Sequence, residues 1–475
     1  MADINPELVN EIVKNVMNEL ESRGVVQKPT TNVTSQTGVF DDIDDAINAT
    51  IPAQKIWART SKETKAKVIA ALRKAMHEHA DEFSRMALQE TGMGRFEDKV
   101  VKHHNSADAT PGLEDLEVSS WSGDKGLVVE EYAPYGVIAA ITPSTHPIPV
   151  LLNSIIIMIA PGNGAVFNVH PAAKNVSAYA MEIFNRVIQE NGGPANLVSM
   201  VREPTMESVD KLFHHPKLPL IAATGGPGLV QAAFAAGKKV IAAGPGNPPV
   251  LVDDTACVNV AAKNIIEGAS FDNNILCIAE KEVFVVEANF DKFMAAMTKY
   301  GAVLLNANQI KDLTAQVFSK NDKGGVVTNR DFIGKNANVL ATAVGLSLSD
   351  DVRLLYGETG ADHLFVQEEQ MMPFMPIVKV KSADEGIALS VQAEHGFQHT
   401  ASIYSNHLET ITKFTRAIDT DIVVVNGPTL AGNGGYAGEA YFSHTIASPT
   451  GEGICRPRDF ARVRRLATFN SLQIV

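Results

Sequence analysis

Apolar residues recur along the chain in two alternating spacings, one typical of buried strands and one typical of helices. Short apolar runs bounded by turn residues predict strands, and runs with apolar residues three or four apart predict helices between them. The predicted strands of the first half are 137–142, 165–169, 197–201, 219–223 and 239–243. Strands that alternate with helices in this way predict a doubly wound α/β fold with a parallel sheet.

A second α/β pattern begins after residue 246 and predicts a second lobe. Its strand candidates are PVLVD, EVFVV, PIVKV, HTASIYS and DIVVVN. We therefore expect one domain over 39–246 and another over 247–440, with a cleft between them. The apolar stretch IPVLLNSIIIMIA contains polar residues and is too short to span a bilayer, so it predicts a buried helix.

The first 24 residues form a separate pattern, in which apolar residues repeat on one side of a predicted helix. Asn5 is placed to cap this helix, Pro6 lies in its first turn and Gly24 ends it. Residues 25–38 have no apolar periodicity and predict a flexible linker. The pattern alone leaves two alternatives open, packing of the helix on its own domain or docking on a partner.

Composition narrows the class of function. The chain has 475 residues, of which 45% are hydrophobic, and this is typical of a globular protein with two or three domains. Its net charge of -13 leaves no broad basic surface for nucleic acid. Cys257, Cys277 and Cys455 are too widely spaced for a metal cluster and predict free thiols in a reducing compartment. The first residues lack a secretory signal, so we expect a cytoplasmic protein that is not in a membrane.

Loops at the carboxyl ends of the predicted strands are the candidate ligand site. They are 142–147, 168–171 and 224–228, and the last, TGGPG, lets the backbone approach a phosphate or a ring. The sequence has neither GxGxxG after the first strand nor a P-loop, and GNGGYAG at 432–438 has the wrong spacing. The pattern therefore predicts a nucleotide site without a standard fingerprint.

Cys277 is the candidate nucleophile. A lone cysteine is usually a small buried hydrophobe, and we assign Cys257 and Cys455 to that class. Cys277 differs because the polar turn DNN at 272–274 precedes it and 278–279 can begin a helix behind it. A helix N-terminus at this point predicts a lowered pKa of the thiol.

Eight motifs in a fixed order make the sequence resemble one family. They are TGMGRFEDK, TPGLEDL, YGVIAAITPSTHP, TGGPGLV, GKKVIAAGPGNPPVLVDDTA, SFDNNILCIAEKEVFV, EQMMPFMPIVKV and SPTGEG. The chain resembles the CoA-acylating aldehyde dehydrogenases, in particular the propionaldehyde dehydrogenase type found in bacterial microcompartments. The resemblance runs from Val39 to the C-terminus.

The resemblance implies an aldehyde dehydrogenase-like α/β fold. A Rossmann-type domain for NAD and CoA would span 39–246, and a catalytic domain would span 247–440. A small oligomerisation hairpin at about 119–136, joined by 441–475, would pair subunits into a homodimer or homotetramer. The helix at 1–24 would be an encapsulation helix that docks on a shell protein or other cargo, inside a bacterial microcompartment.

The implied activity is the reversible conversion of a short-chain aldehyde, CoA and NAD+ to acyl-CoA and NADH. Cys277 would attack the aldehyde, and CoA would release the resulting thioester. The loop with Thr145 and His146 would face the developing oxyanion together with the backbone N–H of Cys277. Hydrolytic relatives have a glutamate where this chain has Ala243, and its absence favours release by CoA over release by water.

The resemblance also assigns the cofactor contacts. Glu369 matches a ribose-binding glutamate, although the sequence alone favours a solvated surface carboxylate at this position. The residues that match the nicotinamide side are Thr224, Gly225, Gly226 and Pro227, and those that match the adenosine side are Asn168, His170 and Pro171. NAD and NADP both remain open, because no acidic residue follows the second strand.

Departures from the family pattern leave the substrate open. The chain has PSTHPIP where relatives have PSTNPTE, and GEAYFSH where they have a GEGFTTF-like stretch. A propionaldehyde-like substrate is favoured, with acetaldehyde and lactaldehyde as alternatives, the last because of the polarity of His146 and His444. His146 itself has three open roles, in packing, in substrate hydrogen bonding and in titration. A hydrolytic aldehyde dehydrogenase and a non-catalytic cargo or scaffold are the other functions considered.

Overall fold

The structure is a computed structural model that describes residues 37–321 and 324–474. The predicted helix at 1–24, and the predicted linker up to residue 36, lie outside the described residues. From Thr37 onward the chain forms one unit, in which two α/β lobes and a small antiparallel sheet are distinguished.

The first lobe contains the helices and strands up to residue 243. In chain order they are β1 Val39–Phe40, α1 Ile43–Trp57, α2 Lys62–Thr91, α3 Phe96–Ala109, β2 Ser119–Gly123, β3 Gly126–Pro134, β4 Val137–Thr142, α4 Pro147–Ile159, β5 Gly164–Val169, α5 Lys174–Glu190, β6 Val198–Val201, α6 Met206–His214, β7 Leu220–Thr224, α7 Pro227–Ala235 and β8 Lys239–Ala243. The five predicted strands are confirmed, each within one residue of its expected bounds.

Six parallel strands form the sheet of this lobe, in the order β1, β6, β5, β4, β7, β8. Strand β4 is the switch point, because it pairs with β5 on one side and with β7 on the other. In its register Val137 lies opposite Gly164, and Ile138 lies opposite both Ala165 and Leu220. The loops after β4 and β7 therefore leave the same edge of the sheet side by side, where open α/β sheets bind ligands.

Helix α4 lies at the centre of the first lobe. All of its 13 residues are buried, so the buried helix predicted from its apolar sequence is confirmed. Pro147 occupies the first turn, where the missing N–H would have no helical partner. At the other end, the buried indole of Trp57 donates a hydrogen bond to the carbonyl oxygen of Ile159 at 2.8 Å. The loop between β4 and α4 is therefore attached to a helix that is buried along its whole length.

The second lobe contains the helices and strands from residue 249 to residue 425. In chain order they are β9 Pro249–Val252, α8 Val258–Ser270, β10 Glu282–Val286, α9 Glu287–Lys299, β11 Val303–Leu304, α10 Ala307–Val317, β12 Phe318–Lys320, β13 Val326–Thr328, α11 Ala337–Ala343, β14 Leu355–Glu358, α12 Leu364–Gln367, β15 Phe374–Val380, α13 Ala383–Glu394, β16 Thr400–Tyr404, α14 Leu408–Ile418 and β17 Ile422–Val425. Its parallel sheet has the order β11, β14, β15, β10, β9, β16, β17. The five segments predicted as strands lie in this sheet, while β11 and β14 were not predicted.

The C-terminal segment returns to the first lobe. It contributes β18 Ile446–Ala447, β19 Gly453–Ile454 and β20 Ala461–Ala467. Strand β20 pairs antiparallel with β3, and β3 pairs antiparallel with β2, which gives a three-stranded sheet with β20 at one edge. Trp121, Val463 and Leu466 of this sheet are exposed apolar residues. The hairpin of β2 and β3 and the C-terminal strand β20 thus belong to the same sheet.

Candidate functional site

Cys277 lies in a turn between α8 and β10, after three residues with left-handed backbone. Asp272, Asn273 and Asn274 have φ values of 45°, 56° and 66°. Asp and Asn tolerate this region better than most L residues, because their short polar side chains form local hydrogen bonds. The predicted polar turn is confirmed. The helix predicted behind Cys277 is wrong, because the chain makes only a short turn before β10 begins at Glu282.

The buried ammonium of Lys281 holds this turn. Its Nζ donates to the carbonyl oxygen of Asn274 at 2.9 Å, to the side-chain oxygen of Asn274 at 2.6 Å and to the carbonyl oxygen of Leu276 at 3.1 Å. These bonds use all the donors that an ammonium has. The backbone immediately before Cys277 therefore takes its shape from a lysine that is fully buried.

The thiol of Cys277 is not activated by the backbone alone. Burial, followed by the negative charge of Glu369, raises the pKa of the thiol to about 12. Lys281 and the backbone N–H groups of Cys277 and Ile278 act in the opposite direction. The sequence-based prediction of a lowered thiol pKa is therefore wrong, because the helix N-terminus on which it rested is not formed.

Glu369 lies close enough to Cys277 and Lys281 to interact with both charges. Burial raises the pKa of Glu369, while Lys281 and the backbone N–H of Gly246 oppose that rise. The residue is half-buried, so the interpretation as a solvated surface carboxylate is wrong. A carboxylate at this position can accept hydrogen bonds from a ribose, and that contact stays a prediction.

The segment 243–246 joins the two lobes at the site. The carbonyl oxygen of Ala243, the last residue of β8, accepts a hydrogen bond from the N–H of Gly225 at 3.1 Å. A Cβ on Gly246 would lie 2.6 Å from the carbonyl oxygen of Cys277, so a larger residue would not fit there. The glycine loop and the cysteine turn are thus brought together. Ala243 is buried and provides a methyl group, not a carboxylate, at this junction.

The glycine loop after β7 presents bare backbone at the start of α7. Thr224 and Gly225 are partly exposed, and Gly226 and Pro227 are exposed. No heavy atom lies within 4 Å of the position that a Cβ would take on Gly226 or on Gly228. Open space beside the N-terminus of a helix fits an anionic or aromatic part of a nucleotide. The loop therefore fits the predicted cofactor.

The three residues predicted on the adenosine side follow β5, but their side chains differ in exposure. Asn168 is buried, and its side-chain oxygen accepts a hydrogen bond from the hydroxyl of Ser208 at the start of α6. His170 and Pro171 are exposed at the carboxyl edge of the sheet. The ring of His170 accepts the N–H of Ala172 at 3.1 Å, which fixes the turn. Ligand contacts by all three residues stay predictions.

Thr145 and His146 occupy the loop between β4 and α4. Thr145 is partly exposed, whereas His146 is buried and receives a hydrogen bond on Nδ1 from Lys102 at 2.9 Å. The ring of His146 stacks on that of His444 with 5.4 Å between centroids. Burial and then the charge of Lys102 hold the pKa of His146 well below its usual value. The ring is therefore packed and hydrogen-bonded within the protein, and its roles in substrate hydrogen bonding and in titration stay predictions.

Sequence reasoning missed the buried lysines. Lys281 stands in the run EKE, which resembles a charged surface, but all three residues of that run are fully buried. The available signal was position, since the run lies between the apolar segments ILCIA and VFVV. Lys99 and Lys102 are also buried, three residues apart on one face of α3.

The thiols differ more than the sequence indicated. Cys455 is buried as expected, but Cys257 is exposed, so its assignment as a buried hydrophobe is wrong. It lies at the cap of α8, outside the packed sheet.

Within 37–321 and 324–474, no group of three or more His, Cys, Asp or Glu residues could hold a metal ion. No helix in that same part of the chain has the length and apolarity to cross a bilayer.

Comparison with known proteins decides the family. Residues 25–438 match the sequence model of the Aldehyde dehydrogenase family. The chain belongs to the aldehyde dehydrogenase family. The match covers both α/β lobes, and it agrees with a cysteine turn placed against a glycine loop.

Similar proteins place this aldehyde dehydrogenase beside CoA-acylating enzymes. It is 41% identical to acetaldehyde dehydrogenase (acetylating) EutE of Salmonella typhimurium, over 99% of this chain and 100% of that protein. A propionaldehyde dehydrogenase from the fucose utilisation microcompartment of Clostridium phytofermentans is 43% identical, with a TM-score of 0.89 over 92% of this chain and 100% of that one. The propionaldehyde dehydrogenase of Rhodopseudomonas palustris, with bound CoA and an acylated cysteine, is 39% identical, with a TM-score of 0.89 over 93% of this chain and 100% of that one. The predicted resemblance and fold class are confirmed.

The two charges beside Cys277 of this aldehyde dehydrogenase are expected to change its reactivity in opposite directions. Glu369→Gln removes a negative charge, lowers the pKa of the thiol and speeds alkylation of Cys277 by iodoacetamide. Lys281→Met removes a positive charge and slows it. One pKa unit changes the thiolate fraction about tenfold, and we expect rate changes of that order. Mass spectrometry of the Cys277 peptide over time measures both rates.

The exposed thiol of Cys257 provides the control within each sample, and its alkylation rate should not change. Rates that move in the same direction in both variants would show that access to Cys277, rather than charge, controls its reactivity.

Proposed function

We propose that this aldehyde dehydrogenase oxidises a short-chain aldehyde to its CoA thioester, with NAD+ as the hydride acceptor. The observation that carries the proposal is the junction at 243–246, which brings the glycine loop to the turn of Cys277 and has only a methyl group at Ala243. Relatives named for acetylating activity, and one with bound CoA and an acylated cysteine, support the assignment.

The first half of the reaction acylates Cys277. The thiol of Cys277 first loses its proton to solvent, because its raised pKa keeps it protonated at neutral pH. The resulting thiolate adds to the carbonyl carbon of the aldehyde and forms a thiohemiacetal, with negative charge on the former carbonyl oxygen. The backbone N–H of Cys277 and the loop at Thr145 hold that oxygen. NAD+, when bound, supplies the acceptor for the hydride. As the carbon loses its hydride with the C–H electron pair, the C=O bond forms again and an acyl thioester remains on Cys277.

The second half transfers the acyl group to CoA. The thiolate of CoA attacks the thioester, a C–S bond to CoA forms as the C–S bond to Cys277 breaks, and Cys277 leaves as a thiolate. One thioester replaces another, so the step is reversible. Water is a poor competitor because the methyl group of Ala243 cannot remove its proton, and CoA needs no such base once its thiol has ionised.

The cofactor contacts that we propose lie on both lobes. Glu369 binds the ribose next to the nicotinamide, and the exposed loop 224–227 faces the nicotinamide itself. Asn168, His170 and Pro171 lie on the adenosine side at the end of β5. NAD+ is the proposed acceptor, and the ratio of kcat/KM for NAD+ and NADP+ decides between the two.

A small unbranched aldehyde such as propionaldehyde is the favoured substrate. Acetaldehyde and lactaldehyde are the two alternatives, and the second rests on the polarity of His146 and His444. In the structure those rings are engaged within the protein, since Lys102 donates to His146 and the hydroxyl of Ser106 lies 3.0 Å from Nε2 of His444. Their polarity therefore does not by itself call for a hydroxylated substrate.

Turnover is expected to require both Cys277 and CoA. With aldehydes of two to four carbons, lactaldehyde included, the wild-type enzyme should form NADH and acyl-CoA only when CoA is present. Cys277→Ala should lose at least about a thousandfold in kcat, as expected for a lost nucleophile. Cys257→Ala is the matched control and should retain full activity, because Cys257 is exposed at the start of α8, and it is the opposite end of this helix that leads to the turn of Cys277. NADH absorbance and chromatography of the acyl products measure the outcome.

Two results would contradict this proposal in different ways. Free acid formed at the same rate without CoA would identify a hydrolytic aldehyde dehydrogenase. No turnover with any aldehyde, in a folded protein that still binds NAD+, would favour a non-catalytic cargo or scaffold.

We propose that the enzyme is a homodimer or homotetramer paired through the sheet of β2, β3 and β20. Exposed apolar residues and a free strand edge on this sheet support the pairing. Leu466→Asp should therefore lower the mass measured by light scattering, whereas Leu408→Asp, at an exposed leucine of α14, should not. An unchanged mass for both variants would exclude this sheet as the interface.

We further propose that the enzyme lies in the cytoplasm inside a bacterial microcompartment, held there by residues 1–24. The microcompartment origin of the Clostridium phytofermentans neighbour and the amphipathic sequence of this segment support the proposal. The partner would be a shell protein or other cargo, bound through the apolar side of the predicted helix.

Residues 1–24 fused to a fluorescent protein should enter purified microcompartments, and the same fusion with Ile12→Asp and Val16→Asp should not. Deletion of residues 1–36 should leave kcat and KM unchanged. Equal entry of both fusions would show that the apolar side of the helix is not the docking surface.

A further inference from the structure

The buried ammonium group of Lys102 links helix α3 to the turn that precedes Cys277 and to the loop between β4 and α4. Lys102 lies on α3 and is 4% exposed. Its Nζ donates to Oδ2 of Asp272, in the turn that leads to Cys277, and to Nδ1 of His146 at 2.9 Å, in the loop that follows β4. One side chain is therefore bonded to both sides of the proposed acylation site.

The hydrogen bond from Lys102 to Asp272 stabilises a backbone conformation that is otherwise unfavourable. Asp272 is fully buried and has a φ of 45°. Its Oδ1 accepts the backbone N–H of Arg95 at 2.7 Å, and Oδ2 also accepts Lys99 at 3.2 Å. Its own N–H donates to Asp98 at 2.8 Å. The start of α3 thus surrounds Asp272, and the left-handed turn is held from its side chain as well as from its backbone.

The bond to His146 acts on the other side of the site. An ammonium can only donate, so Nδ1 of His146 must accept and the ring must be neutral. The same ring stacks on His444, whose Nε2 lies 3.0 Å from the hydroxyl of Ser106 on α3. Because His146 directly follows Thr145, a fixed ring at His146 also fixes the loop that faces the substrate.

The charges of this cluster support an intact ion pair near neutral pH. Burial lowers the pKa of Lys102 to about 8, with Asp272 acting against that effect, so the lysine is mainly protonated at pH 7. Burial by itself would raise the pKa of Asp272, but Lys102 and Lys99 hold it below the usual value. Lys102 thus donates to both partners, and neither bond needs a proton to move during turnover.

We propose that Lys102 is a positioning residue that holds the turn of Cys277 and the loop of Thr145 at the separation needed for acylation. The proposal rests on the proposed function, since it assigns a role within that reaction. Lys102 acts through Asp272 and His146 and does not touch the substrate. Its loss would let the nucleophile and the oxyanion donors move relative to one another, and small displacements of reacting groups are costly.

Lys102→Met keeps most of the buried side-chain volume and removes the ammonium. We expect the single-turnover rate of NADH formation to fall about a hundredfold at saturating aldehyde and NAD+. The Kd for NAD+ should stay within about twofold, because the partners of Lys102 are Asp272 and His146, which are not among the proposed cofactor contacts. Lys65→Met is the matched control, since Lys65 is also a buried lysine of the first lobe but packs on Trp57, and it should leave the single-turnover rate unchanged.

A double-mutant cycle separates positioning from general destabilisation. If Lys102 acts through His146, Lys102→Met combined with His146→Leu should lose no more activity than Lys102→Met alone. If Lys102→Met does not fold, His146→Leu, which removes the acceptor for Lys102 but leaves the bond between Lys102 and Asp272, provides the test by itself. It should slow acylation at least tenfold with an unchanged Kd for NAD+.

Three results would overturn the proposal. The first is a single-turnover rate within threefold of wild type in Lys102→Met or, where only it folds, in His146→Leu. The second is full additivity in the cycle. The third is a parallel loss of NAD+ affinity and thermal stability that accounts for the slower rate. Failure of the proposed function is distinguishable, because it would show as no CoA-dependent turnover in the wild-type enzyme.

Discussion

The left-handed run at 272–274 is the constraint on which the rest of the site depends. Successive L residues with positive φ are unfavourable, so such a run persists only where its surroundings determine it. Here it is held from both ends, by Lys102 and Lys99 at Asp272 and by Lys281 at Asn274. The direction in which the chain then presents Cys277 follows from these contacts.

Buried charged side chains therefore determine the local structure around Cys277 in this enzyme. Removing a charge from water is unfavourable unless hydrogen bonds and opposite charges replace the solvent. Lys281 meets the condition with three oxygen acceptors, and Lys102 meets it with a carboxylate and a ring nitrogen. Glu369 has the opposite effect near the thiol, because it disfavours the thiolate that Lys281 favours. The reactivity of Cys277 is thus set by burial and by the balance of two neighbouring charges, rather than by a helix.

The elements that were predictable from the sequence are those whose patterns are local. Strands β4 to β8 and the buried α4 have clear apolar periodicity, and the motifs that surround Cys277 identify the family without a structure. The missing helix behind Cys277, the exposure of Cys257 and the burial of Glu369 could not be derived in this way. The turn at Cys277 and the partial burial of Glu369 depend on partners that are distant in sequence, such as Lys102 for Asp272 and Gly246 for Glu369. Apolar periodicity shows which positions are apolar, but it does not show which polar side chains form hydrogen bonds or ion pairs in the protein interior.

The sheet of β2, β3 and β20 has a consequence for the order of events during synthesis. Its central strand pairs with β20 through residues such as Glu131 and Arg464, which are 333 positions apart. β3 leaves the ribosome before strands β4 to β8 of its own lobe, and the whole second lobe must then be synthesised before its last partner, β20, exists. Contacts of such long range form late. The edge of β3 that pairs with β20 therefore stays unpaired until β20 has been synthesised, and a molecule that lacks β20 cannot complete this sheet.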